Sequence, residues 1–196
     1  PLCKGIGFVY ARTASGRIDY SRVVPCECVK KETEKAQEER LQKYSNLGAL
    51  SGCTFDSINS DERNEDFTRR ALFNDALEAA KNYAADPQGW FVLTGPSGSG
   101  KTLIAAAISN ERIKMGYPVF FQTVPDLLDH LRSAFAPASE MPYDELFEKV
   151  CKAPLLVLDD LGVQAGTPWA KEKLDQILNN RFIRELPTVI TTGTLL

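Results

Sequence analysis

The eight residues Gly95-Pro96-Ser97-Gly98-Ser99-Gly100-Lys101-Thr102 decide the fold of this chain. They match the pattern G-x-x-x-x-G-K-[ST], in which a glycine-rich loop joins a strand to a helix and its backbone amides surround phosphate oxygens. An apolar run at 90–93 precedes the loop, and an Ala- and Ile-rich stretch at 101–115 follows it. We therefore expect these eight residues to bind ATP, with Lys101 on the β- and γ-phosphates and the Thr102 hydroxyl on Mg²⁺.

The carboxylates Asp159 and Asp160 form the second part of the predicted site. They close the apolar run Leu155-Leu156-Val157-Leu158, and two acids at a buried strand end are costly unless a cation lies beside them. We expect Asp159 to bind Mg²⁺ together with Thr102. We expect Asp160 to orient or deprotonate the attacking water, as adjacent carboxylates do in metal-assisted hydrolysis.

Strands and helices alternate through residues 49–196. Periodicity predicts helices over 67–85, 101–115, 124–134, 143–152 and 168–184, and strands over 90–93, 118–122, 155–159 and 188–192. This alternation, with continuous apolar strands, is typical of a parallel sheet covered on both faces. The strand ending at Thr192 should lie beside the phosphate-binding strand. Thr192 is thus a candidate to bond the γ-phosphate or the water, although β propensity explains a threonine there equally well.

A cysteine-bearing segment precedes this domain. Cys3, Cys26 and Cys28 flank a predicted short hairpin and resemble most of a zinc knuckle, which needs about four ligands; reduced surface cysteines are the alternative. Residues 1–48 carry nine Lys and Arg and six Asp and Glu, whereas residues 49–196 carry 14 and 20. We therefore expect a partial zinc segment over 1–30, a charged helical linker over 31–48 and the ATPase core over 49–196.

Composition excludes several other classes of protein. The 196 residues are 43% hydrophobic with a net charge of -3, which argues against a polybasic nucleic-acid binder but not against a local basic patch. No apolar run approaches the roughly 18 residues of a membrane span, and no signal peptide is visible, so we expect a cytoplasmic protein. The chain begins at Pro1 and stops just after an apolar run, so we expect a fragment truncated at both ends.

These motifs together resemble the AAA+ ATPases of the bacterial helicase-loader type (DnaC/DnaI) and the similar IstB transposition ATPases. The resemblance rests on residues 95–102, 155–162 and 186–192, supported by residues 52–56, residues 168–173 and the cysteines. It implies an α/β P-loop NTPase fold, a three-layer sandwich with five parallel strands, four of them within this chain, and a helical lid. It also implies an ATPase in replication initiation that binds a replicative helicase and single-stranded DNA and self-associates into ATP-dependent oligomers, with Zn²⁺ in the full-length protein.

Some features leave alternatives open. Gly193 stands where members of this family commonly carry Asn, which puts polar sensing by a side chain at that position in doubt. Arg181 either contacts a neighbouring subunit's nucleotide or is structural. Arg112, Lys114 and Arg132 are candidates for a DNA surface, but each is more often a solvated charge. The alternative functions are an IstB-like transposition helper on duplex DNA, a small-molecule kinase, and a nucleotide-dependent switch with little turnover.

Overall fold

The computed structural model describes residues 8–12, 18–25, 47–58, 67–136, 141–162 and 167–193. The chain divides into two compact units, Pro1–Arg40 and Leu41–Leu196. In the first unit, strand β1 (Phe8–Arg12) pairs antiparallel with strand β2 (Ile18–Pro25). This confirms the predicted hairpin, whereas the linker helix predicted over 31–48 lies almost wholly outside the described residues.

The described part of the second unit alternates between helices and strands as predicted. Its elements are α1 (Phe67–Ala85), β3 (Trp90–Thr94), α2 (Lys101–Lys114), β4 (Val119–Thr123), α3 (Val124–Ser133), α4 (Tyr143–Lys152), β5 (Leu155–Leu161), α5 (Pro168–Ile183) and β6 (Thr188–Thr192). Two short 3₁₀ turns, Gly48–Leu50 and Phe55–Ser57, precede α1. The predicted boundaries lie within two residues of the observed ones.

The boundaries of two helices have a clear local cause. The Thr123 hydroxyl accepts a hydrogen bond from the Asp126 amide at the start of α3, and the Thr167 hydroxyl accepts one from Ala170 at the start of α5, each at 3.2 Å. A proline follows each cap, where its missing N–H costs nothing. These caps start α3 immediately after β4 and fix where α5 begins.

The four strands of the second unit form one parallel sheet in the order β3-β6-β5-β4. Strand β6 therefore lies between the strand before the glycine-rich loop and the strand that carries the two carboxylates. Thr94 of β3 is in register with Thr192 of β6, which confirms that the last strand lies beside the phosphate-binding strand. The loop and the carboxylates consequently lie at the same edge of the sheet.

Helices cover both faces of this sheet. Alternate strand residues pack to opposite sides, as the period of two requires: Phe121, Val157 and Val189 join the core beneath α1 and α2. Phe120, Leu156, Leu158 and Ile190 join the core beneath α3, α4 and α5. The predicted three-layer arrangement is therefore present.

Helix α5 differs from its sequence pattern in one position. The pattern places Phe182 on the buried face with Leu174, Ile177 and Leu178, but Phe182 is 69% exposed, and Arg181 is buried in its stead. The guanidinium of Arg181 donates to the Thr188 hydroxyl and to four backbone carbonyls, those of Val150, Cys151, Ala153 and Pro187. It ties the end of α4 to the start of β6.

This environment makes Arg181 a structural residue. Burial lowers the pKa of Arg181 to about 10, so the side chain remains charged near neutral pH. Its donors are already engaged inside the fold, and it has no exposed surface. Of the two roles open from the sequence, the structural one agrees with this geometry.

We expect Arg181→Met to destabilise the domain by about 3 kcal/mol or more, because several buried carbonyls would lose their donors at once. Arg184→Met is the matched control, since Arg184 is exposed on the same helix end and should change stability by less than about 0.5 kcal/mol. Urea unfolding followed by circular dichroism measures both. Equal midpoints for the two variants would contradict the structural role.

Candidate functional site

The glycine-rich loop connects β3 to α2, and parts of its backbone adopt a conformation that would be strained for residues other than glycine. Gly98 and Gly100 have φ angles of 79° and 91°, in the left-handed region that glycine adopts without steric cost. Gly100 is also the residue that caps α2. The loop therefore brings its amides and the N-terminus of α2 to one place, a combination that favours bound anions.

Lys101, the first residue of α2, lies across this loop. Its Nζ donates to the carbonyl oxygens of Gly95 and Pro96, at 2.9 and 3.0 Å. These two bonds hold the ammonium group over the loop. The position agrees with the role predicted for Lys101 as a phosphate ligand.

Thr102 and Asp159 meet across the site although they are 57 positions apart. The Thr102 hydroxyl lies 3.0 and 3.1 Å from the two carboxylate oxygens of Asp159. Asp159 is buried, and burial raises the pKa of its carboxyl group, while the hydrogen bonds from Thr191 and Thr102 oppose that shift. A hydroxyl and a carboxylate side by side are hard oxygen donors of the kind that Mg²⁺ prefers. The pair predicted to bind Mg²⁺ thus fits that ion.

Asp160 is exposed at the same strand end, in an unusual backbone conformation. Its φ is 60°, which costs most residues free energy but is tolerated better by Asp and Asn. The pairing of β5 with β6 shifts register here: Leu158 pairs with Ile190, and Leu161 pairs with Thr192. Two residues, Asp159 and Asp160, therefore oppose Thr191 alone, which is a β-bulge.

Thr191 is the site residue that the sequence did not single out. Its hydroxyl donates to Asp159 Oδ1 at 2.6 Å and accepts from the Asp160 amide at 2.9 Å. The alternation of side chains between the two faces of β6 is the sequence signal that could have identified Thr191. Val189 packs beneath α2, so Thr191, two residues later, shares that face. Thr192 is also buried, and its contact with phosphate or water stays a prediction.

A cavity of about 550 Å³ adjoins the glycine-rich loop. Its lining combines loop residues and Lys101 with side chains from α1, β3 and α2, namely Arg69, Leu72, Phe73, Ala76, Leu93 and Ile104. A polar, phosphate-binding part and an apolar wall in one cavity match the two halves of a nucleotide.

The candidates for DNA contact are in different surroundings. Arg112 lies 3.7 Å from the centre of the Tyr117 ring and hydrogen-bonds the carbonyls of Ala84 and Ala85 at the end of α1. It therefore holds α1 and α2 together. Lys114 is exposed at the end of α2. Arg132 is exposed at the end of α3, 5.1 Å from the centre of the Trp169 ring.

The predicted zinc ligands Cys3, Cys26 and Cys28 lie outside the described residues. Within the described ranges, no three His, Cys, Asp or Glu side chains are grouped so that they could hold a metal ion. None of the helices described above is both long and apolar enough to cross a bilayer.

Comparison with known proteins agrees with this geometry. The family described as IstB-like ATP binding protein matches residues 9–196. The replicative helicase loader DnaI of Bacillus subtilis (strain 168) is 27% identical over 166 residues, which cover 84% of this chain and 51% of that protein. The replicative helicase loader DnaC of Escherichia coli (strain K12) is 30% identical over 122 residues, 61% of this chain and 49% of that protein.

The fold is similar to that of a solved relative. The crystal structure of the DnaC helicase loader has a TM-score of 0.62 at 23% identity, with 76% of this chain and 80% of that chain covered. This likeness confirms the predicted α/β fold, a parallel sheet with helices on both faces. The chain spans about half the length of the two curated relatives. Because the family match extends over nearly the whole chain and includes the loop and both carboxylates, the chain belongs to the IstB-like ATP binding protein family.

Proposed function

We propose that this chain is the ATPase part of a helicase loader that acts in the initiation of DNA replication. The observation that carries the proposal is the meeting of Thr102 with Asp159, beside Lys101 and Asp160, at one edge of a parallel sheet. The names of the relatives, replicative helicase loaders DnaI and DnaC, supply the biological role. Since the chain spans about half of those proteins, the role is proposed for the full-length protein.

In the proposed reaction, the loop amides and Lys101 bind the β- and γ-phosphates of ATP. Thr102 and Asp159 would hold Mg²⁺, which neutralises phosphate charge when bound. Asp160 orients the water that attacks the γ-phosphorus and accepts its proton, while Thr192 contacts the γ-phosphate or the water. The bond from the γ-phosphorus to the β–γ bridging oxygen breaks, and ADP and phosphate leave. The apolar wall that Leu72, Phe73 and Ala76 contribute to the cavity receives the base.

The proposed DNA surface is a row of aromatic side chains that lie just after α3 and on α4 and α5. The Phe135 ring stacks on Tyr143 with centroids 4.2 Å apart, and Tyr143 stacks on Phe147 at 5.6 Å. Phe135 is 57% exposed, and Arg132 and Trp169 form a cation–π pair nearby. Tyr143, Phe147 and Trp169 are partly buried against the core and support the exposed Phe135 ring. An exposed ring beside a cation favours single-stranded DNA, because a base stacks on the ring and a phosphate approaches the charge.

We expect Phe135→Ala to weaken single-stranded DNA binding by the full-length, ATP-bound protein about tenfold, the loss of one base–aromatic stack. Fluorescence anisotropy with a labelled oligothymidine at fixed salt measures the affinity. Phe182→Ala is the matched control, since Phe182 is also an exposed aromatic residue but lies at the far end of α5. An equal loss in both variants, or in neither, would contradict this surface.

A second candidate function is a transposition helper that assembles on duplex DNA, which the resemblance to the IstB transposition ATPases implies; the matching family is described as IstB-like. Affinity capture of the full-length protein with a hexameric replicative helicase, with and without ATP, separates the two. We expect ATP-dependent capture of the helicase and self-association into oligomers. Failure to bind the helicase, together with ATP-dependent filaments on duplex DNA, would favour the transposition role instead.

A further inference from the structure

We propose that Thr191 is a positioning residue for ATP hydrolysis, whose hydroxyl fixes both acidic residues of the site. The hydroxyl oxygen of Thr191 takes part in two hydrogen bonds. It donates to Asp159 Oδ1 at 2.6 Å and accepts from the backbone amide of Asp160 at 2.9 Å. The proposal rests on the proposed ATPase function and concerns how that site is kept in order.

The bond to the Asp160 amide stabilises a backbone that is otherwise unfavourable. Asp159 and Asp160 oppose Thr191 alone in the β5–β6 ladder, and Asp160 has a φ of 60°. A bulge leaves a residue outside the regular pairing, and the Thr191 hydroxyl supplies the acceptor for the amide there. Without that acceptor, the bulge would relax and the Asp160 carboxylate would point elsewhere.

The bond to Asp159 fixes the carboxylate from the neighbouring strand β6. Asp159 accepts from two hydroxyl groups, that of Thr102 on α2 and that of Thr191 on β6. Thr102 is only partly buried and has a proposed second task as a Mg²⁺ ligand. Thr191 has no exposed surface, and its β-branched side chain has few rotamers. Thr191 is therefore the hydrogen-bond partner that Asp159 keeps when Thr102 binds Mg²⁺.

The test compares Thr191→Val, which removes the hydroxyl at nearly constant shape, with Thr191→Ser, which retains it. We expect Thr191→Val to lower kcat for ATP about 30-fold, equivalent to two hydrogen bonds of ordinary strength, with KM changed less than about threefold. Thr191→Ser should restore kcat to within about threefold of wild type. Thr191→Ala provides a second hydroxyl-free variant should the valine protein fold poorly.

Nucleotide binding gives a readout that is independent of turnover. Calorimetric titration with a non-hydrolysable ATP analogue at several Mg²⁺ concentrations should show that Thr191→Val needs about tenfold more Mg²⁺ for half-maximal binding, as expected for one lost bond to a charged group. Thr191→Ser should need the wild-type concentration. Equal impairment of the serine and valine proteins would show that the hydroxyl is not responsible and would overturn the proposal.

A double-mutant cycle with Asp160→Asn tests whether Thr191 acts through the carboxylates. We expect Thr191→Val to slow the Asp160→Asn protein by only about fivefold, the loss of the one remaining bond to Asp159, and not by the full 30-fold. Multiplied losses would overturn the proposal. If Asp160→Asn and Lys101→Ala both left binding and turnover intact, the proposed ATPase function itself would fail. If those two variants were impaired and Thr191→Val and Thr191→Ala were not, only the role of Thr191 would fail.

Discussion

Replacing Lys101 by Ala is expected to weaken ATP binding by at least about 100-fold. The Lys101 ammonium lies 2.9 and 3.0 Å from two loop carbonyls, directly over the glycine-rich loop. Hydrogen bonds from a charged donor contribute about 1.5–3 kcal/mol each, so losing two of them to phosphate oxygens removes about 3 kcal/mol or more of binding free energy. A loss of that size corresponds to about 100-fold in affinity.

Lys114→Ala is the matched control for this prediction. Lys114 lies on the same helix α2 but at its opposite end, where it is exposed, so its removal should leave ATP affinity within about twofold, since exposed charges contribute little. Isothermal titration with ATP and Mg²⁺ measures both variants, and thermal unfolding confirms that each is folded. Unchanged ATP affinity in the Lys101 variant would show that the phosphates bind elsewhere and not at the glycine-rich loop.

Much of the fold could be predicted from the sequence because its signals are local. The loop Gly95–Thr102 and the acidic strand end at 159–160 are contiguous motifs, and apolar residues close together in sequence mark the helices and strands. The placement of β6 beside β3 followed from general rules for parallel sheets, and the observed order β3-β6-β5-β4 agrees with it. Together these signals placed the phosphate loop next to the carboxylates.

The parts that could not be predicted depend on contacts between distant residues. The bond of Thr191 to Asp159 spans 32 positions, and the bulge that gives Asp160 its φ of 60° exists only when β5 pairs with β6. Arg181 is a similar case. The apolar pattern of α5 fits either Phe182 or the adjacent Arg181 on the buried face. Arg181 is the buried residue because its guanidinium donates to the backbone carbonyls around it.

These two cases share a physical cause. Arg181 and Thr191 are polar, and both are fully buried beside backbone groups outside regular helix or sheet pairing: carbonyls at the end of α4 for Arg181, and the Asp160 amide at the bulge for Thr191. Hydropathy assigns polar residues to the surface, whereas a buried amide or carbonyl requires a partner wherever regular pairing ends. Polar residues at the ends and interruptions of regular elements are therefore the ones that a sequence pattern misses. At this site one of them contacts the proposed catalytic machinery.

Replacing Asp160 by Asn is expected to lower ATP turnover by about 100-fold or more while leaving ATP affinity within about threefold, since a positioned base contributes roughly 10²–10⁴-fold. Asn cannot accept the water's proton at neutral pH but has nearly the same size. It also tolerates a φ of 60°, so the bulge and the Thr191 bond should persist. A longer side chain such as Glu would combine a chemical change with backbone strain.

Single-turnover hydrolysis of radiolabelled ATP, with binding measured separately by calorimetry, distinguishes the outcomes for Asp160→Asn. Asp175→Asn is the control, because Asp175 is an exposed carboxylate on α5 and should hydrolyse ATP at the wild-type rate. Normal turnover in the Asp160 variant would place the base elsewhere. Partner release that continues unchanged without turnover would identify the protein as a nucleotide-dependent switch, since ATP binding alone would then set its state. Turnover and release lost together would show that hydrolysis drives the release.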